Sequence, residues 1–176
     1  LYPKVEITVT NAPSSAVLET LRRHELDLAL LTLPIVGDDL QVRPALREEM
    51  VVVTAPGHPL SKKRPVAPGD LANHPLILYE SGSNTRRVLD DFFLEEGVAV
   101  RVAMETENVE IIKSMVGAGL GITLIPYAAI TRDVRARRFA FARLRGRSPC
   151  RETGWVYLRR DAPPRAVTEM LKTFEA

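Results

Sequence analysis

The chain has 176 residues, of which 45% are apolar, 24 basic and 22 acidic. It is long enough for one domain core or two small lobes, and too apolar and too nearly neutral to remain disordered. No apolar run reaches the 18 residues of a membrane span, and the single cysteine, Cys150, rules out an intrachain disulfide.

Taken in chain order, the alternation Val5-Glu6-Ile7-Thr8-Val9-Thr10 predicts a strand. Asn11 to Ser15 supplies turn residues and a serine cap for a helix that carries Val17, Leu18 and Leu21 on one face, with Arg22, Arg23 and His24 at its negative end. Leu26 to Leu31 is short and almost wholly apolar, as expected of a strand covered on both faces. Leu46 to Thr54 predicts another buried strand, stopped by Ala55-Pro56-Gly57-His58-Pro59, and Lys62-Lys63-Arg64 reads as a solvated basic loop. A strand at Leu76–Tyr79 leads through the capping turn Ser81-Gly82-Ser83-Asn84 to a helix bearing Val88, Leu89, Phe92 and Phe93 and ending at Gly97. Val98 to Glu105 alternates as a strand. Asn108 caps a helix with Ile112, Met115 and Val116 inward, stopped at Gly117-Ala118-Gly119, and the strand Ile122–Ile125 closes at Pro126. Trp155 to Leu158 predicts a strand, and Pro164 opens a helix with Val167, Met170, Leu171 and Phe174 on one side. Strands alternating with helices make the class α/β with mostly parallel sheets.

Charge is spread unevenly. Residues 132–165 hold 11 arginines against Asp133, Glu152 and Asp161, while the remainder is net acidic. Such a region attracts nucleic acid, an acidic ligand or an acidic partner, and is equally the ordinary make-up of a solvated surface. No signal peptide opens the chain, and Leu1-Tyr2-Pro3 reads as a point inside a longer protein.

Catalytic signatures are missing. Gly117, Gly119 and Gly121 imitate a nucleotide loop, but a helix precedes and a strand follows, the reverse of the order that places a pyrophosphate on a helix start. The three histidines, His24, His58 and His74, are too scattered to predict a metal site, and Ser83 lacks the surroundings of a nucleophile elbow. Binding, with no catalytic residue, metal or cofactor, is the expectation. Ligands of open parallel sheets meet the C-terminal ends of strands, where helix starts offer free N–H groups. The polar residues at those ends are Asn11, Ser14, Ser15, Thr32, Thr54, Ser81, Ser83, Asn84, Thr85, Thr106, Glu107 and Asn108. Singly, each is a helix cap as readily as a ligand contact.

Glu25 to Leu30, Val51 to Leu60, Asp70-Leu71-Ala72, Leu76 to Ser83, and Glu105 to Glu110 running into Gly117 to Ile122 stand in an order that resembles the effector-binding domain of LysR-type transcriptional regulators. The resemblance covers the whole chain. It implies two Rossmann-like α/β lobes with a central cleft, a type 2 periplasmic-binding-protein architecture, joined by two crossing strands. Residues 1–75 and 150–176 would form lobe I and residues 76–149 lobe II. It further implies an effector, anionic by the helix-start argument, held at Thr32, Thr54, Ser81, Ser83, Asn84 and Thr106–Asn108. The protein would be cytoplasmic, without a membrane partner, and a homodimer or homotetramer that uses Val17 to His24. The family's winged helix-turn-helix, and the first strand and helix of lobe I, are expected to lie outside this sequence, so the fragment should not bind operator DNA by itself. Two rival readings share the scaffold: a periplasmic solute-binding protein, and an enzyme for which Glu107 and His58 are the candidate titratable groups.

Overall fold

The computed structural model describes residues 2, 5–160 and 163–175; Leu1, Pro3, Lys4, Asp161, Ala162 and Ala176 lie outside the described residues. In chain order the elements are α1 (Ser14–Arg22), β1 (Ala29–Thr32), β2 (Leu40–Thr54), β3 (Pro75–Leu78), α2 (Asn84–Glu95), β4 (Arg101–Glu105), α3 (Val109–Gly117), β5 (Thr123–Pro126), α4 (Tyr127–Arg135), β6 (Ala140–Ala142), β7 (Cys150–Leu158) and α5 (Arg165–Glu175). Two 3-10 turns, Pro59–Lys62 and Pro68–Asn73, lie between β2 and β3.

The chain divides into two compact units. One comprises Leu1–Leu46 and Glu152–Ala176, the other Arg47–Arg151, and β2 and β7 each pass from one to the other. Residues 47–75, expected in the first lobe, therefore belong to the second unit. The reason is packing: Val51, Val52 and Val53 of β2, together with Leu60, Val66 and Leu71 from the segment that follows, are buried in one cluster with Leu76, Ile77 and Leu78 of β3.

In the first unit, β1 pairs antiparallel with β7, Leu31 opposite Gly154. Leu21, Ala29, Leu31, Leu40 and Val156 form a small core, and a second cluster joins Tyr157 of β7 to Val167 and Leu171 of α5. Three expectations change here. The alternating segment Val5–Thr10 is not a strand: it has no ladder partner among the described residues, and Ile7 and Val9 are exposed. Leu30 is 46% exposed, so β1 is covered on one face and not on both. Finally, no serine caps α1; Pro13 holds that position and Ser14 is already helical.

The second unit carries the larger core. Strands β3 and β4 are parallel, Leu76 opposite Val102, and β3 continues into a parallel bridge with Ile122 just before β5. Gly121 permits this approach, because a Cβ at that position would lie 2.5 Å from the Pro75 carbonyl oxygen. The turn that precedes it uses Gly119 at φ +76°, so the glycine run serves a helix-to-strand turn. Strand β2 then pairs antiparallel with β5, Val52 opposite Leu124, and with β6, Val52 opposite Ala142. The expectation of mostly parallel sheets is thus corrected: β1–β7, β2–β5 and β2–β6 are all antiparallel. Helices α2 and α3 form as their caps predict, with Ser83 accepting from Arg86 N–H and Asn108 from the N–H groups of Glu110 and Ile111. Sequence reasoning did not anticipate α4, which starts directly after Pro126 without a side-chain cap, or β6, which is only three residues long.

One buried ion cluster ties α3 to α4. Lys113 Nζ lies 2.7 Å from Asp133 Oδ2 and 2.8 Å from Glu110 Oε1, and Arg138 closes on the other Asp133 oxygen. The Asp133 side chain is 6% exposed, and the hydrogen bond from Lys113 holds its carboxyl below the usual carboxylate range. Asp133→Asn removes the carboxylate that Lys113 and Arg138 share, leaving buried Lys113 only the exposed Glu110, and is expected to cost about 3 kcal/mol in urea denaturation at neutral pH. A carboxyl whose folded pKa is depressed stabilises above its unfolded value, near 4, and loses that contribution as pH falls through the lower folded value. The gap between wild type and Asp133→Asn should therefore close on acidification. Tyr79, just past β3, is 4% exposed and its hydroxyl has no hydrogen-bond partner among the described residues; burial pushes its pKa up to about 12. Tyr79→Phe keeps the ring and removes an unsatisfied group, so the same denaturation should show no loss and a gain of up to about 1 kcal/mol.

Candidate functional site

Because β3 and β4 are parallel neighbours, their C-terminal ends open on the same edge of the second unit, and the two helices that follow start there. Ser81, Ser83 and Asn84 come from the β3–α2 turn, and Thr106, Glu107 and Asn108 from the β4–α3 turn. The Leu78 carbonyl accepts from Thr106 N–H, 3.1 Å, and Ser81 N–H donates to Glu105 Oε2, 3.2 Å, which stitches the turns together. Six of the sequence-predicted residues are thus brought to one place. Their duties differ: Ser83 and Asn108 are committed to capping, Thr106 Oγ1 accepts from Asn108 N–H at 3.3 Å, and Ser81 and Glu107 are exposed. Thr85 is buried within α2.

Thr54 does not join them. It ends a strand that runs antiparallel to β5, and β5 continues from the residue that lies parallel to Leu76, so Thr54 sits at the opposite edge, near Thr123. There it is 2% exposed and its hydroxyl donates to the Ala55 carbonyl. The rule that places ligands at strand ends presupposes parallel strands, and β2 breaks it. His58 lies beyond that same far end, capping the turn Pro59–Lys62 with Nδ1 accepting from Leu60 N–H, its ring 4.7 Å from His74. His58 and Glu107 consequently do not converge. Asn11, Ser14, Ser15 and Thr32 belong to the first unit, the last at the end of β1.

Sequence reasoning missed the residue that organises this edge. Arg86, whose side chain is 11% exposed, donates to the Tyr79 carbonyl at 2.9 Å, to Asp90 at 2.8 Å and to Glu105 at 2.7 Å. Its hydrogen bond holds the Glu105 carboxyl below the usual range, so the strand-end acid is ionised and already paired. The available signal was an arginine three residues after a serine cap, which alone does not reveal burial. Also missed was Arg151 on β7, which donates through Nε at 3.0 Å to Glu48 on β2; that pair depends on a strand pairing no local pattern discloses. What remains at the edge is a set of exposed hydroxyl, amide and carboxylate groups beside two helix starts, an arrangement able to hydrogen-bond a small polar molecule. Among the described residues, no group of three or more His, Cys, Asp and Glu could hold a metal ion, and no helix is long and apolar enough to cross a membrane.

Known proteins share this architecture. The regulatory domain of Synechocystis PCC6803 CcmR, solved in complex with 2-PG, superposes with a TM-score of 0.86 at 22% identity, covering 98% of this chain and 83% of that one. The effector binding domain of QuiR in complex with shikimate gives a TM-score of 0.80 at 20% identity, over 93% and 76%. Among curated sequences, the HTH-type transcriptional activator CmpR of Synechocystis sp. is 36% identical over 124 residues, 70% of this chain and 41% of that protein. The RuBisCO operon transcriptional regulator of Allochromatium vinosum is 28% identical over 155 residues, 88% and 51%. The chain thus spans about half the length of these curated relatives. The model of the LysR substrate binding domain matches residues 1–176, and the chain belongs to that family, with its type 2 periplasmic-binding-protein-like fold.

Proposed function

We propose that the chain is the effector-sensing and dimerising domain of a bacterial LysR-type transcriptional regulator working in the cytoplasm. On this reading it recognises a small anionic metabolite and acts by binding it, without turnover. The observation that carries the reading is the meeting, on one edge of the second unit, of two parallel strand ends and two capped helix starts. A carboxylate or phosphate-like group docks against the starts of α2 and α3, Ser81 donates to it, and Glu107 accepts from a hydroxyl on the same molecule. Transcriptional regulators among the curated relatives, and solved effector domains carrying shikimate and 2-PG, support the same reading. The metabolite then shifts the population between two conformations that the DNA-binding part of the protein distinguishes, which requires a difference in its affinity for them. In a homo-oligomer, Val17 to His24 supply the contact surface.

Calorimetric titration with a panel of hydroxy acids and phosphate esters, shikimate and 2-PG included, tests this. At least one compound should bind and raise the melting temperature. Ser81→Ala, which leaves both caps intact, should weaken that compound about tenfold, the scale of one hydrogen bond to a charged group. Thr54→Val at the opposite edge should leave the affinity unchanged. A flat response to the whole panel, or equal losses in the two variants, would overturn the assignment.

A further inference from the structure

Two basic runs that are 80 residues apart in the sequence meet on the second unit. Val66 and Leu144 form a parallel bridge, with Val66 N–H donating to the Arg143 carbonyl at 3.0 Å and Arg145 N–H to the Val66 carbonyl at 2.7 Å. Both bridge residues are buried, so Arg143 and Arg145, flanking Leu144 on an extended segment, are turned outward and exposed. Lys62, Lys63 and Arg64, also exposed, lie just before Val66 in the chain, and the turn Pro59–Lys62 packs against β6, which leads into this strip.

Aromatic rings order part of this strip. The Arg64 guanidinium lies 6.0 Å over the Phe141 ring, that ring is 5.0 Å from Tyr127, and the Arg143 guanidinium lies 5.9 Å over Tyr127. Stacking uses the face of a guanidinium and leaves its edge N–H donors pointing outward. The local acids are already engaged: Asp70 with Lys63 at 2.7 Å, Glu49 with Arg143 at 3.0 Å and Glu95 with Arg147 at 2.6 Å. Lys62, Arg64 and Arg145 have no carboxylate within ion-pair distance among the described residues. Lys62 and Arg64 thus make no ion pair among the described residues, and Arg145 is only partly offset, by the nearby Asp70 carboxylate that Lys63 also engages.

We propose that this face docks the phosphate backbone of duplex DNA, adding a sequence-independent attachment to whatever domain of the full regulator reads the operator. The partner follows from the charge: a row of exposed cations with open donors fits a repeating polyanion, while the strip's aromatic rings are half-buried beneath guanidinium groups. That DNA is within reach at all rests on the regulator reading above.

The test is fluorescence anisotropy of random-sequence duplex DNA titrated with the 176-residue chain at several KCl concentrations. Lys62→Ala/Arg145→Ala should weaken binding at least tenfold at low salt and flatten the slope of log K against log[salt] by about 1.8, at about 0.9 for each phosphate no longer neutralised. Adding Arg64→Ala should flatten it by about 0.9 more. Lys62→Glu/Arg145→Glu, which touches neither aromatic pairing, must show the same direction of change. Arg132→Ala/Arg135→Ala on α4 removes the same charge elsewhere and should leave the slope unchanged. An unaltered slope in the first variant overturns the proposal, as does an equal drop in the α4 control, or a loss confined to binding of phosphatidylserine vesicles. Metabolite titration of the same variants separates the two readings: a flat metabolite response beside a changed DNA slope defeats the effector assignment alone.

Discussion

Five consecutive buried residues, Met50 to Thr54, force the rest of the second unit into place. An extended chain shows its side chains alternately to two faces, so a run buried throughout needs cover on both faces and partners along both edges. Strand β2 meets that demand with β5 on one edge and β6 on the other, and with packing from Leu60, Val66, Leu71 and the helices. Each fully buried valine in the run contributes about 1.5–3 kcal/mol relative to exposure. Strand β2 runs antiparallel to β5, and this direction decides which turns share an edge.

The elements that were legible in the sequence are those whose signal is local. Ser83 and Asn108 cap the helices that their positions announce, and Gly97 and Gly119 end them at positive φ. The candidate residues Ser81, Ser83, Asn84 and Thr106–Asn108 were legible for the same reason, because strand-then-cap is a short-range pattern. That Thr54 lies at the other edge from these residues was not legible, because a strand's direction relative to its neighbours is a long-range property; its own segment reads alike in either orientation. The Val5–Thr10 alternation failed for a related reason: a period of two states which face is apolar, and a ladder needs a partner that the period does not name. Arg86 and Arg151 were invisible because burial of a cation is set by acids 19 and 103 residues away.

Electrostatics in the second unit separates into committed and available charge. Arg86, Lys113 and Arg151 are each largely buried against carboxylates, and each fixes one element to another: α2 to the β4 end, α3 to α4, and β7 to β2. Such pairs are costly to break and add little net attraction for a ligand, since their fields largely cancel. Arg64, exposed over the Phe141 ring and in no ion pair among the described residues, keeps its field in solvent, where it acts over about a Debye length. The skew in the sequence toward arginine near the C-terminus thus includes both architecture and surface.

The two turns at the open edge divide labour within a few residues of each other. Ser83 and Asn108 hold helix starts together, and any exchange there is felt first as a loss of fold, whereas the side chains of Ser81 and Glu107 are exposed and make no hydrogen bond or ion pair among the described residues. If Ser81 and Glu107 touch the effector as proposed, a lineage of such domains can drift from one small molecule to another by exchanging only that pair, each swap being nearly free of conformational penalty. Chemical taste and architectural integrity would then be inherited on adjacent but separate residues.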